Sequence, residues 1–257
     1  MPARLARTAS EILAVLRTRR PRVHCITNTV AQAYTANALL AIGAVPSMTT
    51  SPDEIAAFAG NADALLVNLG TLEPERRAVI RTAIEAASLR DRPWLLDPVF
   101  IDRSPGRASF ARDLAALGPA AIRGNAAEIA ELGPGEDIRG LAARLGTVVA
   151  ATGETDIVTN GERIAGIANG HPLMARVTAM GCAGAAITAA FLAVAEDPFE
   201  ATGAAMLALG IAGEIASKTA RGPGSFATAY LDALYGLDTL ELAAHARIDT
   251  SLTGDVP

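Results

Sequence analysis

The stretch ALLVNLGTLEPERRAVIRTAIEAASLRDRPWLLD, residues 64–97, decides the fold. Its two ends, Ala64–Asn68 and Trp94–Asp97, are short apolar runs that predict buried strands. Between them, a helix is expected from Pro74 to about Leu89, because proline is favoured at the first position of a helix. A strand, a helix and a second strand form the crossover unit from which parallel sheets are built.

The same alternation continues on both sides of this unit. A first helix is expected over residues 10–18, with Ser10 as its cap, and a second over residues 30–42, ending at Gly43. The Asn160-Gly161 pair predicts a hairpin, and after Gly170-His171-Pro172 the chain turns helical up to about Tyr235. Further strands are predicted at residues 23–26, 45–48, 121–123, 147–151, 156–159 and 163–168.

This pattern predicts an α/β protein whose mostly parallel central sheet has helices on both faces, giving three layers. No linker, repeat or low-complexity segment interrupts residues 1–257, so we expect a single domain. The hydrophobic fraction of 51% and the aromatic fraction of 4% suit helices packed closely on a sheet.

Composition also limits the partners and the cellular location. A net charge of -5 argues against a nucleic-acid-binding surface, which needs a basic stripe. The apolar run at residues 183–195 is too short to cross a bilayer, and no secretory signal precedes the first strand. We therefore expect a soluble, cytoplasmic protein with two free thiols that acts on small molecules and binds neither membranes nor nucleic acids.

Ligands of parallel sheets bind beyond the carboxyl ends of the strands. Of the residues found there, Asp97 could act on Mg²⁺ or phosphate through water, or could form an Asp-Pro turn. Thr152 could contact a nucleotide phosphate or belong to a plain turn. Met48 could line an apolar pocket or fill the core, and Asn28 could bind a ligand or cap a helix. The strand-end residues are Asn28, Met48, Asn68, Asp97, Arg123, Thr152 and, at the later helix, Cys182.

Gly181 and Cys182 open a long apolar helix among small residues. The unpaired amides of such a helix start can bind a phosphoryl group, and we expect the helix N-terminus to lower the pKa of the Cys182 thiol. The simpler interpretation is a glycine that permits close packing beside a buried cysteine, and the local sequence alone favours it.

Arg123, Asn125 and Glu128 also allow two interpretations. Asn125 followed by Glu128 is the pattern of a capping box, which by itself accounts for both residues. Alternatively, Arg123 reaches a phosphate from a strand end and Glu128 orients hydrated Mg²⁺.

Nearly the whole chain resembles the hydroxyethylthiazole kinase family of the ribokinase-like superfamily. Each motif is weak alone, and their order makes the resemblance specific. The motifs are Val23-His24-Cys25-Ile26-Thr27-Asn28, Tyr34-Thr35-Ala36-Asn37-Ala38-Leu39-Leu40, Asp97-Pro98-Val99, Arg123-Gly124-Asn125-Ala126-Ala127-Glu128, Thr152-Gly153, Asp156-Ile157-Val158-Thr159, Asn169-Gly170-His171-Pro172-Leu173-Met174, Gly181-Cys182 and Gly222-Pro223-Gly224-Ser225-Phe226.

The resemblance implies a ribokinase-like fold and Mg²⁺-dependent transfer of the ATP γ-phosphate to the hydroxyl of 4-methyl-5-(2-hydroxyethyl)thiazole, in thiamine biosynthesis. It also implies a homotrimer with thiazole sites where protomers meet. Met48 and Ala179 match thiazole contacts, and we add Asn28 as a further substrate-binding candidate. Cys182 stands at the catalytic position where most ribokinase-like enzymes have an aspartate base.

Arg123 and Thr152 match nucleotide contacts of the family, and Gly181 joins them as an ATP-binding candidate through its amide. Asp97 and Glu128 match the positions that serve Mg²⁺ and phosphate, which we expect them to do through water.

Two departures leave other functions open. Ala179 stands where the family usually has glycine, and residues 100–104 replace a small, glycine-containing stretch. A kinase for a different small heterocyclic alcohol is therefore one alternative. A ribokinase-like ATP-dependent dehydratase is another, although it is expected to carry aspartate in place of Cys182. A catalytically silent binding protein is the third.

Overall fold

The structure, a computed structural model, describes residues 2–249. All the strands of this part of the chain lie in one sheet. They are β1 (Arg22–Ile26), β2 (Val45–Ser47), β3 (Ala64–Asn68), β4 (Trp94–Asp97), β5 (Ala121–Asn125), β6 (Val148–Thr152), β7 (Asp156–Thr159), β8 (Ile164–Ile167) and β9 (Ile248–Asp249).

The helices fill the intervals between these strands and form most of the last third of the chain. They are α1 (Pro2–Arg19), α2 (Gln32–Ile42), α3 (Ile55–Asn61), α4 (Pro74–Ser88), α5 (Pro105–Ala115), α6 (Ala126–Leu132), α7 (Ile138–Leu145), α8 (Met180–Leu192), α9 (Pro198–Ser217), α10 (Pro223–Gly236) and α11 (Thr239–His245).

The strand order in the sheet is β2-β1-β3-β4-β5-β6-β7-β8-β9. The strands from β2 to β6 are parallel, and the last three join as an antiparallel extension. The predicted mostly parallel sheet is thus confirmed. The parallel pairings bring the carboxyl ends of β1, β3, β4 and β5 to one edge, where a ligand site is expected.

Helices cover both faces of the sheet, as predicted. On β3, Leu66 packs into a core shared with α1, α2, α8, α9 and α10, whereas Leu65 and Val67 pack against α3, α4, α5, α6 and α7. This alternation follows from the period of two in a strand, and it buries β3 on both faces. The result is the three-layer α/β architecture.

The first helix is longer than predicted, and Ser10 does not cap it. The helix begins at Pro2, so Ser10 lies in its interior, where its hydroxyl donates to the carbonyls of Ala6 and Thr239. The second bond joins α1 to α11, a tertiary contact that the local capping pattern does not contain.

Within the described residues, only α9 is long and apolar enough to be considered as a membrane span, and 83% of its most apolar window is buried inside the structure. It packs against α1, α8 and α10, which makes it a core helix.

Candidate active site

Polar side chains from neighbouring strands meet at the carboxyl edge of the sheet. Asn68 and Asp97 end β3 and β4 and lie opposite each other in the parallel register, and Asn28 follows β1. The start of α8, with Cys182 in its first turn, packs over the same strands. The structure therefore brings together Asn28, Asp97 and Cys182, three of the predicted site residues.

A chain of hydrogen bonds joins these groups. The Asn28 Nδ2 atom donates to Cys182 Sγ at 3.1 Å and to Asn68 Oδ1 at 3.3 Å. Asn68 Nδ2 then donates to Asp97 Oδ2 at 2.6 Å. The Gly70 amide donates to Asn68 Oδ1 at 3.0 Å, which fixes the orientation of the Asn68 amide. Asn68 is fully buried, and the sequence analysis gave it a place at a strand end but no role.

Asp97 has a strongly perturbed acidity. Its carboxyl is 5% exposed, and burial raises its pKa to about 7. The positive charge of Arg123 and the hydrogen bond from Asn68 oppose this rise, while the negative charge of Glu128 adds to it. A buried carboxyl with charged neighbours of both signs is typical of functional sites.

The expected low pKa of Cys182 is wrong. Burial, and to a smaller extent the charge of Asp97, raise the pKa of this thiol to about 11, although hydrogen bonds from Asn28 and Asn68 and the charge of Arg123 oppose the rise. Desolvation of the thiolate is the largest of these effects. Cys182 is therefore a protonated thiol at neutral pH.

The turn before Cys182 carries backbone strain. Ala179 precedes α8 with φ +71°, a left-handed conformation that costs an alanine about 1–2 kcal/mol. The helix proper starts with the bond from the Ala183 amide to the Ala179 carbonyl. Gly181 is exposed in the first turn, where helix amides have no intrahelical acceptor, and a methyl group at Gly181 would meet nothing within 4 Å. The space around the Gly181 Cα is open.

Arg123 links this helix start to β5. Its Nη1 atom donates to the Gly181 carbonyl at 3.0 Å, and its Nε atom lies 3.4 Å from the Met206 sulfur. Gly184 makes room for the guanidinium, because a methyl group there would lie 2.9 Å from Arg123 Nη2.

Glu128 forms the capping box that its spacing with Asn125 predicts. Its carboxylate accepts from the Asn125 amide at 2.9 Å, and the Asn125 side chain accepts from the Glu128 amide at 2.9 Å. The other carboxylate oxygen accepts from the Phe100 amide at 2.8 Å, which ties the segment after β4 to α6. Each carboxylate oxygen of Glu128 is thus bound to one backbone amide and can accept a further hydrogen bond.

A cavity of about 750 Å³ opens beside the helix start. Arg123, Thr152 and Gly181, the three predicted ATP-binding residues, all line it, whereas Met48 lies outside it, beyond β2 at the sheet edge. The cavity is also lined by residues to which the sequence analysis assigned no role, namely Asp156 and the loop of residues 168–172.

Asp156 could have been found from the sequence, because it follows the Thr152-Gly153 turn at the spacing of a side-chain cap. Its carboxylate accepts from the Gly153 amide at 3.0 Å, and burial raises its pKa. The loop of residues 168–172 overlaps the motif at residues 169–174, but its local sequence indicates no role, since contacts distant in sequence hold it in place.

Comparison with known proteins agrees with this geometry. The model of the hydroxyethylthiazole kinase family matches residues 13–239. A probable hydroxyethylthiazole kinase of Agrobacterium fabrum is 46% identical over 244 residues, covering 95% of this chain and 96% of that protein. A hydroxyethylthiazole kinase of Klebsiella pneumoniae is 48% identical over 238 residues, covering 86% and 92%.

Solved structures extend the likeness to the fold. A hydroxyethylthiazole kinase protein from Pyrococcus horikoshii superposes with a TM-score of 0.89 at 36% identity, covering 94% of this chain and 98% of that one. A ribokinase-like superfamily protein from Enterococcus faecalis superposes with a TM-score of 0.65 at 13% identity, covering 87% and 89%. The second likeness supports the ribokinase-like fold alone.

Proposed function

This chain belongs to the hydroxyethylthiazole kinase family, and from that premise we propose that it transfers the γ-phosphate of ATP to the hydroxyl of 4-methyl-5-(2-hydroxyethyl)thiazole, a step of thiamine salvage. It is thus a phosphotransferase with an alcohol acceptor. The observation that carries the proposal is the contact between Arg123 and the Gly181 carbonyl, because it joins the cavity to the helix start that bears Cys182.

On the nucleotide side, we assign phosphate binding to Arg123, Thr152 and the amide of Gly181, which line one cavity. Phosphoryl transfer passes through a loose transition state, so positioning and neutralisation of charge dominate the catalysis. Oriented amides and a fixed guanidinium supply both without reorganising during the reaction.

On the acceptor side, we assign binding of the thiazole to Met48 and Ala179. Asn28, which donates to Cys182, is assigned to position the thiol next to the alcohol group of the substrate. A neutral thiol is a weak base, and general-base catalysis typically raises the rate by about 10²–10⁴-fold. In a loose transition state the hydroxyl proton leaves late, so Cys182 contributes less than the amides of α8.

Mg²⁺ fits the acidic residues present. No cluster of three or more His, Cys, Asp or Glu side chains occurs within residues 2–249, and Mg²⁺ bound to a nucleotide needs none, because phosphate and water fill most of its coordination. We propose that Asp97 and Glu128 hold it, largely through water. An ion held there would supply positive charge to neutralise the transferring phosphates.

We also propose that the protein is a cytoplasmic homotrimer whose protomers contact one another along the β2 edge of the sheet. Apolar side chains are exposed around this edge and surround a hollow of about 280 Å³, close to Met48 in sequence. Such a concentration is typical of a protein interface. The exposed apolar side chains that line this hollow are those of Val45 and Phe58.

The test is the rate of ADP formation with a panel of acceptors, namely the thiazole alcohol, pyridoxal, other heterocyclic alcohols and no acceptor. We expect the highest kcat/KM with the thiazole alcohol. Higher kcat/KM with another alcohol would instead favour a different kinase, the alternative that the methyl of Ala179 suggests. ADP release that depends on a hydrated nicotinamide nucleotide would indicate the dehydratase.

A further inference from the structure

The loop of residues 168–172, here the nucleotide loop, forms one wall of the 750 Å³ cavity. It is held from behind, on the side away from the cavity, by groups distant in sequence. These come from Glu214 on α9 and from the segment that leads into β9.

One carboxylate oxygen of Glu214 accepts hydrogen bonds from three donors. Its Oε1 atom accepts from Asn169 Nδ2 at 3.1 Å, from the Gly170 amide at 2.9 Å and from Arg247 Nη2 at 2.6 Å. Hydrogen bonds to an ionised carboxylate are about twice as strong as neutral ones. Two of the three donors belong to the nucleotide loop, so the position of the loop depends directly on this carboxylate.

The C-terminal segment completes the attachment. Asn169 is 4% exposed; its Nδ2 atom also donates to the His245 carbonyl at 2.8 Å, and its Oδ1 atom accepts from the Arg247 amide at 2.8 Å. The Ala168 amide donates to the Arg247 carbonyl at 2.9 Å. Every polar atom of the Asn169 side chain is therefore bound to residues outside the loop.

The backbone of α9 presses against the loop as well. A methyl group at Gly210 would lie 2.5 Å from the Asn169 carbonyl oxygen, a distance that only glycine permits. The loop is thus enclosed between α9 and the C-terminal segment, and its free side faces the cavity.

We propose that Glu214 and Arg247 are positioning residues that hold the nucleotide loop in the conformation that binds ATP. The inference rests on the proposed function in one respect, that the cavity holds the nucleotide. Neither side chain lines the cavity, so both act through Asn169 and Gly170. Loss of Glu214 removes the acceptor of the half-buried Gly170 amide and one of the two acceptors of Asn169 Nδ2, which lets the wall of the cavity move.

The test compares Glu214→Ala with Glu200→Ala, a matched control on the same helix. Glu200 is 20% exposed and pairs with Arg4 at 2.6 Å, while Glu214 is 21% exposed and pairs with Arg247 at 2.6 Å. The measurements are KM for ATP, KM for the thiazole alcohol, melting temperature, and ATP affinity by calorimetry without alcohol. We expect Glu214→Ala to weaken ATP affinity by about tenfold, the factor that corresponds to one lost charge-assisted hydrogen bond, with KM for the alcohol unchanged.

Two more variants separate positioning from general loosening. Glu214→Gln keeps an acceptor oxygen, so we expect it to recover part of the ATP affinity, and Arg247→Ala is expected to weaken it. Unchanged ATP affinity in Glu214→Ala would overturn the proposal, as would an equal loss in Glu200→Ala. If the wild type binds ATP but phosphorylates another alcohol, the proposed substrate fails while the affinity comparison still decides this inference; a wild type that binds no ATP overturns both.

Discussion

At the scale of single residues, Ala179 combines strain with a place at the proposed substrate site. An alanine at φ +71° costs about 1–2 kcal/mol that glycine does not pay. We therefore predict that Ala179→Gly raises the free energy of unfolding by about 1 kcal/mol, after allowing for the greater freedom of glycine in the unfolded chain. Urea denaturation measures this.

Ala183→Gly is the control for Ala179→Gly, because Ala183 lies within α8 and glycine destabilises a helix interior by about 1 kcal/mol. Opposite signs for the two variants are expected. Removal of the Ala179 methyl should also lower KM for the thiazole alcohol. Destabilisation by Ala179→Gly would show that the strain is compensated locally.

Cys182 is the residue whose chemistry the sequence predicted least well. The helix start is visible in the sequence, but the burial and the neighbouring Asp97 that raise the pKa of the thiol come from tertiary contacts. Because the thiol is protonated at neutral pH, we predict that Cys182→Ala lowers kcat by at most about a hundredfold, the lower limit of the 10²–10⁴-fold range for a general base.

Cys182→Asp is predicted to retain or raise kcat, since a carboxylate can serve as the base. Single-turnover rates at saturating ATP and alcohol separate these effects from binding. Full activity of Cys182→Ala would remove the residue from the mechanism.

His24 links stability to pH. It is fully buried between Ser47 and the Thr49 carbonyl, and burial lowers its pKa to about 4, against about 6.5 in the unfolded chain. As pH falls from 6.5 to 4, the unfolded state gains a proton that the folded state does not, so stability is lost in this window.

His24 is expected to lower the free energy of unfolding by about 3 kcal/mol over those 2.5 pH units, because each unit corresponds to about 1.4 kcal/mol. Asp97 acts in the opposite direction, because its raised pKa makes the folded state take up a proton first. The free energy of unfolding is therefore measured for the wild type and for His24→Gln, at pH 7 and at pH 4 in EDTA. The quantity of interest is the change with pH of the difference between the two proteins. A difference that does not change with pH would contradict the assignment.

At the scale of elements, the N-terminus of α8 is the feature on which the proposed chemistry depends. A methyl group on Gly181 meets nothing within 4 Å, so Gly181→Ala should fold with unchanged or higher stability. If phosphates approach the first-turn amides, the same methyl blocks them. We predict an unchanged or higher melting temperature with at least a tenfold loss of kcat/KM for ATP, since about 1.4 kcal/mol of transition-state binding corresponds to that factor.

Gly106→Ala supplies the control for Gly181→Ala. Gly106 also has nothing within 4 Å of an added methyl group, and it lies in the first turn of α5, outside the cavity. Equal kinetics for Gly181→Ala and the wild type would show that ATP does not use these amides.

The sequence predicted those elements that are specified by local patterns of residues. The strands at Ala64–Asn68 and Trp94–Asp97 have the predicted bounds, because apolar runs between turn signals specify buried strands. Residues 248–249 form β9 only because Ile248 pairs with Ile167, and the nucleotide loop is fixed by Glu214 and Arg247. Such long-range pairings leave no local signal, so β9 was not predicted, and the loop was recognised only as part of the motif at residues 169–174, without a role.

At the scale of the whole molecule, the exposed apolar side chains around β2 bear on assembly. We predict that Val45→Lys dissociates the proposed trimer, because a charge buried without a partner at an interface is costly. Sedimentation velocity should then show a fall from three chain masses to one, together with a higher KM for the thiazole alcohol. Leu89→Lys, at a site 86% exposed after α4, serves as the control. A wild-type monomer at micromolar concentration would contradict the assembly.

The fold class and the ordered motifs together were enough to predict the family, which the comparisons confirm. The roles of Met48, Asp97, Glu128 and the other site residues remain proposals. What the structure adds is the hydrogen-bonded path from Cys182 through Asn28 and Asn68 to Asp97.

The most direct test of the central claim is the identity of the product. The purified protein is incubated with ATP, Mg²⁺ and 4-methyl-5-(2-hydroxyethyl)thiazole, and the product is examined by mass spectrometry and by phosphorus–proton NMR correlation. The account predicts one phosphoryl group on the oxygen of the hydroxyethyl chain, formed in step with ADP. ADP formed at saturating alcohol without any phosphorylated thiazole would contradict it.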